Sequence, residues 1–150
     1  MGRKLVIAGT GVEEKRLKSI AGPTIKFLGR VSDTELPRLY AECRAFLFAA
    51  DEDFGIVPVK AQSYGRPVIA YSHGGVLETV KVNCTNGHSD TGIFFTEQTV
   101  DSVVDCIERF EAREYSFSPA EIQSHARQFD VSVFIKTIEQ YINGVMARRS

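Results

Sequence analysis

The chain lacks any long apolar run. None of its apolar stretches approaches the roughly 20 residues that cross a membrane. It also lacks an excess of charge of either sign. Charged residues make up 25% of its 150 residues and the formal net charge is -1. Bulk charge therefore gives no reason to expect a nucleic acid or an anionic membrane as partner. A secretory leader is not expected either. Met1 to Lys4 run straight into Leu5 to Ala8, without a longer apolar segment or a small-residue cleavage site. Cysteine is scarce. Cys43, Cys84 and Cys106 have no metal-ligand spacing and form no paired framework, which suits a reducing cytoplasm. Cys43 and Cys106 fall on apolar helix faces and are read as packing residues. No internal repeat, linker or low-complexity segment appears. One domain over residues 1–150 is expected, of a size that buries a sound core.

What is present centres on Asp51 to Ala70. Ala45 to Ala50 is an apolar run that reads as a buried strand. Asp51, Glu52, Asp53 and Gly55 end it, since no buried strand holds three acids. Pro58 sits where a first helical turn tolerates proline, Gly65 ends the short helix, and Pro67 to Tyr71 is the next strand. In an open α/β sheet, a loop at the carboxyl end of a strand faces the ligand crevice. A glycine beside a helix start lets backbone N–H groups approach an anion.

The flanks repeat this alternation. Leu5 to Ala8 reads as a buried strand, followed by Gly9 and Gly11, either a tight turn or a ligand-facing loop. A helix over 12–21 carries Glu13 and Glu14 early and Lys15, Arg16 and Lys18 late, as the helix dipole favours. Ile25 to Leu28 is a strand closed by Gly29 and Arg30. Ser32 and Glu35 form a capping box, opening a helix with Leu36, Leu39, Tyr40 and Cys43 on one face. His73, Gly74 and Gly75 precede a short helix containing Glu78. Asn83 to Asp90 reads as a surface loop, and Gly92 to Phe95 as the last strand. Val100, Val103, Val104, Ile107 and Phe110 then mark an amphipathic helix. Ser118 and Glu121 make a second capping box, with Pro119 at the first helical position. A final helix over 131–146 is expected to bury Phe134, Ile135, Ile138, Tyr141 and Ile142. Strands alternating with helices predict a parallel, three-layer α/β sheet with helices on both faces.

Several pieces, in order, resemble the carboxyl-terminal half of a GT-B glycosyltransferase of family 4 (group 1) type. They are Leu5 to Gly11, Ile25 to Arg30, Leu39 and Tyr40, Glu52 to Pro58, Ala61 to Ala70, Gly74 to Glu78 and Thr91 to Phe95. The resemblance implies a Rossmann-like fold and a donor-binding role. Such enzymes move a sugar from a nucleotide-sugar to an acceptor such as a glycan or lipid, with retention at the anomeric carbon. Glu52 would hold donor-sugar hydroxyls. The backbone of Phe54, Gly55, Ile56 and Val57, with Gly74 and Gly75, would face sugar and phosphate. Gly9, Gly11, Gly29 and Arg30 would line the base and ribose region. No metal and no cofactor beyond the donor substrate are expected. His73 is either a phosphate contact or a bystander. Glu78 is read as bracing its helix, and His88 and His125 have no supporting partners.

Two departures from the family pattern stand out. Lys60 occupies the position of a glutamate that would hold the ribose hydroxyls. Lysine has donors and no acceptor. The family also carries one more strand and helix ahead of Leu5, with a basic pyrophosphate clamp that Arg3 and Lys4 do not replace. The Leu5 and Ala45 strands are then expected to pair directly, or another chain fills the gap. The expected partners are a nucleotide-sugar, an acceptor-binding domain or subunit, and a second copy through an exposed strand edge. Membrane association would come only through the missing half. By itself this chain is expected to be inactive. The alternative reading is a non-catalytic subunit or interaction module derived from the same fold, which Lys60 favours.

Overall fold

A computed structural model describes residues 2–84 and 89–148. Its strands are β1 (Leu5–Ala8), β2 (Ile25–Gly29), β3 (Phe46–Phe48), β4 (Val68–Tyr71) and β5 (Gly92–Phe95). Its helices are α1 (Glu14–Ile20), α2 (Leu36–Glu42), α3 (Ile56–Ser63), α4 (Val76–Thr79), α5 (Val100–Arg113), α6 (Pro119–Ala126) and α7 (Val131–Ala147). A 3-10 turn, Arg127–Phe129, joins the last two. Every strand pairing is parallel, in two sheets of order β1-β2 and β3-β4-β5. The expected strand-helix alternation and all-parallel pairing are both found. The Leu5 strand pairs with β2 and the Ala45 strand with β4, each within its own sheet.

The chain forms two compact units, Met1–Leu39 and Tyr40–Ser150. In the second, alternation along the strands splits the core between two faces. Ile69, Ile93 and Phe95 pack with Cys106 and Phe110 of α5, Phe117, and Ile122 of α6. Val68 and Ala70 turn the other way, toward Phe48, Ala61 of α3, Val76 and Val80. This is the helix-sheet-helix layering that a parallel sheet needs, since both its faces are apolar. The expected strands, the packing role of Cys106 and the cap at Ser118 are all realised. Ser118 Oγ accepts the Glu121 N–H at 3.4 Å, with Pro119 at the helix start. At the other capping box the serine and glutamate meet side chain to side chain, Ser32 Oγ donating to Glu35 Oε2 at 2.8 Å.

Three expectations fail. Leu5 to Ala8 is not a buried strand, with Val6 50% exposed. No described residue of the first unit is buried. An apolar run reports a preference for cover, and a two-stranded sheet offers little of it. The α7 stripe is not buried either. Phe134, Ile135, Ile138, Tyr141 and Ile142 are all exposed. Helical periodicity identifies an apolar face without supplying a surface to meet it. Finally, Asp90 is not a surface-loop residue. It is 8% exposed, and its carboxylate accepts the Cys84 N–H at 2.7 Å and pairs with Arg113. A carboxylate is buried only with partners, and here a backbone donor and a guanidinium supply them. Residues 85–88, including His88, lie outside the described residues.

Candidate functional site

The segment after β3 is an open groove lined by Asp51 through Val57. It lies at the carboxyl ends of parallel strands, where α/β sheets place their crevices. Gly55 turns the chain from loop to helix. Its φ is 76°, in the left-handed region, and it serves as N-cap of α3. No side chain caps that end, so the first-turn amides of Ile56 and Val57 are left without a side-chain acceptor. Pro58, the third residue of the helix, has no N–H to leave unpaired.

Gly74 and Gly75, after β4, lie directly against this loop. A Cβ at Gly74 would come 2.4 Å from Glu52 O and 2.8 Å from Asp51 Oδ1. One at Gly75 would come 2.4 Å from both Asp53 O and Phe54 Cα. Only glycine fits at either position. The Gly75 N–H donates to Glu52 O at 2.8 Å, so the two loops are bonded as well as packed. His73 Nδ1 stands 2.9 Å from Asp51 Oδ1, with its ring stacked on Tyr71 at 5.8 Å. Three carboxylates, Asp51, Glu52 and Asp53, therefore border a turn of backbone amides. Carboxylates accept from hydroxyls, and amides donate to phosphate oxygens.

Of the residues singled out from sequence, Glu52, Phe54, Gly55, Ile56, Val57, Gly74 and Gly75 come together in this arrangement. Lys60 is exposed in the last turn of α3, off the groove lining. It shares a helix face with Ile56, one turn away. Glu78 is exposed in α4. In the first unit, Gly9 follows β1 and Gly29 ends β2, and the Gly9 N–H donates to Gly29 O at 2.7 Å. Gly11 O accepts the Glu14 N–H at 3.1 Å, opening α1, and Arg30 is exposed.

His125 does have partners, contrary to expectation. Its Nε2 lies 3.0 Å from Thr79 O, and its Nδ1 2.6 Å from Gln128 Nε2. Phe129 is a second residue missed from sequence; its ring meets Phe54 of the groove. The His125–Thr79 and Phe129–Phe54 contacts join segments far apart in the chain, and no local spacing signals them.

The profile described as Glycosyl transferases group 1 matches residues 2–129. The chain belongs to this family. Among its glycosyltransferase relatives is the GDP-mannose-dependent alpha-(1-6)-phosphatidylinositol monomannoside mannosyltransferase of Mycobacterium tuberculosis. It is 34% identical over 119 residues, covering 71% of this chain and 29% of that protein. Human alpha-1,3/1,6-mannosyltransferase ALG2 is 27% identical, over 95% of this chain and 36% of its own length. Among solved structures, Anabaena Alr3699/HepE in complex with UDP and glucose superposes with a TM-score of 0.64 at 26% identity, over 93% of this chain and 40% of that one. Sucrose-phosphate synthase from Thermosynechococcus elongatus reaches a TM-score of 0.76 at 19% identity, over 97% and 39%, and shares the fold. The chain thus spans less than half the length of each of these proteins. Among the described residues, no helix is long and apolar enough to cross a membrane.

Proposed function

We propose that the chain is the donor-binding part of a retaining glycosyltransferase. It holds a nucleotide-sugar while a separate acceptor-binding domain or subunit brings a glycan or lipid. The observation that carries this is the contact of the two loops. Gly74 and Gly75 let the Asp51 to Phe54 backbone pack directly on the loop that follows β4, and no side chain caps the start of α3. Glu52 accepts hydroxyls of the donor sugar. The amides from Phe54 to Val57 face sugar and phosphate, beside Gly74 and Gly75. As the diphosphate leaves the anomeric carbon, charge grows on its oxygens, and backbone donors fixed in advance stabilise it. The donor is the only small molecule this reading needs, with no metal. The relatives named for GDP-mannose and the one solved with UDP and glucose support a nucleotide-sugar of either base. Free cysteines suit a cytoplasmic setting.

Lys60 favours a second reading, a non-catalytic module of the same fold, since it brings donors where a ribose offers donors. Calorimetry separates the two. Under the first reading the protein binds UDP, GDP or ADP. Glu52→Ala then weakens the matching nucleotide-sugar about tenfold or more, as for lost hydrogen bonds to a charged group, and spares the plain diphosphate. Equal weakening of both ligands would remove Glu52 from the sugar. No binding of any of the three nucleotides would favour the non-catalytic module.

A further inference from the structure

We propose that His125 and Phe129, on and just after α6, are positioning residues that hold the two loops of the candidate site in register. The inference rests on the nucleotide-sugar reading above. It starts from Phe54, which follows the acidic loop and is 44% exposed. That ring is only partly covered. It meets Phe129 edge-on, with centroids 6.0 Å apart and planes at 75°. Phe129 in turn meets the His125 ring edge-on at 5.5 Å and 77°. Both arrangements are ones aromatic quadrupoles favour.

His125 passes the contact to the second loop. A carbonyl only accepts, so the proton shared with Thr79 O sits on Nε2, and His125 is the donor at 3.0 Å. Its Nδ1 is then an acceptor, and the Gln128 amide donates to it at 2.6 Å. The same amide donates to His125 O at 2.8 Å. One tautomer therefore satisfies both ring nitrogens. Thr79 O also accepts from the buried Gln62 Nε2 at 3.0 Å. Thr79 Oγ1 donates to Gly75 O at 3.2 Å, and Gly75 N–H donates to Glu52 O at 2.8 Å. The path runs from Phe54 through Phe129, His125, Thr79 and Gly75 back to Glu52. It closes on the loop where it began.

A ring of contacts does something a single one does not. Glu52 and Phe54 are exposed, and an exposed side chain is less constrained by packing than a buried one. Ordering it at the moment of binding weakens affinity, and holding it beforehand recovers that loss. A merely structural α6 would act through its buried residues instead, and Ile122 and Ala126 already fill that role.

The intact protein and four variants separate these possibilities. His125→Leu removes the donor and the aromatic ring. His125→Gln restores an N–H donor. Phe129→Leu removes the aromatic edge and keeps bulk. Ile122→Val trims the core alone. Two readouts are followed: the backbone amide resonances of Phe54 and Gly75, and calorimetric affinity for UDP, GDP and ADP. His125→Leu and Phe129→Leu are expected to shift both amides. They should weaken the nucleotide that binds about five- to twentyfold, the scale of one lost hydrogen bond and some lost order. His125→Gln should recover most of the affinity. Ile122→Val should lower the melting temperature and leave both readouts unchanged. Unmoved Phe54 and Gly75 amides in His125→Leu and Phe129→Leu overturn the proposal, as does an affinity loss that Ile122→Val reproduces. If the wild type binds none of the three nucleotides, the donor-binding reading falls, and the amide shifts alone decide whether these residues position the loops.

Discussion

The β1-β2 pair and the β3-β4-β5 sheet are built from the same kind of sequence, and they end in opposite environments. Each strand is a short apolar run that runs into a polar or glycine-rich turn. Yet Val68 and Ala70 of β4 are fully buried, while Leu5 and Val6 of β1 are exposed. The difference lies in what covers them. β4 is the middle strand of its sheet, with β3 and β5 on either side and packed side chains on both faces. In the first unit the described contacts are lighter. Lys18 of α1 lies over the Phe27 ring of β2 at 5.8 Å, and exposed i,i+3 and i,i+4 ion pairs such as Arg16 with Glu13 and Lys18 with Glu14 decorate α1. Exposed pairs of that kind add little stability. Strand-forming pattern and strand burial are separate properties, and only the first is local.

This contrast is sharpest in the core. We predict that Phe95→Ala, at 1% exposure in β5, destabilises the protein by about 3–5 kcal/mol, through lost burial and the cavity left behind. Val6→Ala in β1 should stay within about 0.5 kcal/mol, as exposed substitutions do. Urea melts of the two variants would break the comparison if their midpoints moved equally.

A smaller effect is expected at Asp90, which has no counterpart among the first unit's exposed ion pairs. Burial pushes its carboxyl up. The Cys84 N–H and the Arg113 guanidinium outweigh that, and the net shift is below the usual aspartate range. Asp90→Asn should therefore cost about 1–3 kcal/mol near neutral pH, the scale of a hydrogen bond to a charged group. The sign of its pH dependence follows from the depressed folded value. The contribution is present above the unfolded pKa of about 3.9 and is lost as pH falls through the folded one. Melts of wild type and Asp90→Asn should thus converge below about pH 4. A gap that stayed constant down to pH 2 would mean that the carboxylate charge is not what stabilises this loop.

An effect as small as that of Val6→Ala belongs to α7. Phe134→Ser removes a large apolar side chain that is 66% exposed, and we expect a change within about 0.5 kcal/mol in the isolated chain. A drop above 2 kcal/mol would show that a surface meets this face in solution.

Much of the fold was legible because it rests on local rules. Pro58 and Pro119 near helix starts, Ser118 ahead of α6 and the apolar runs of β3 to β5 each follow from chemistry within a few residues. The central stretch from Asp51 was legible for the same reason, since three acids and a glycine cannot continue a buried strand. His125 was not. Its partner Thr79 is 46 positions away, and nothing in the residues around either one announces the other. The glycines at 74 and 75 fall between these cases. Their presence beside a strand end pointed to a loop of special backbone, but the reason that only glycine fits is the approach of Asp51 to Phe54.

Sequence alone determined which segments are strands and helices, that the strands run parallel, and which loops follow the carboxyl ends of strands, because propensity, capping and alternation act over a few residues. Family membership was also legible there, carried by motifs in order. Tertiary structure decided which apolar faces are covered, since burial depends on the elements that arrive from elsewhere in the chain. It decided that α7 displays its apolar stripe and that Asp90 is buried with Arg113. It also decided that the Phe129 ring meets Phe54 and that His125 reaches Thr79 O, because hydrogen bonds and ring contacts depend on distance in space and not along the chain.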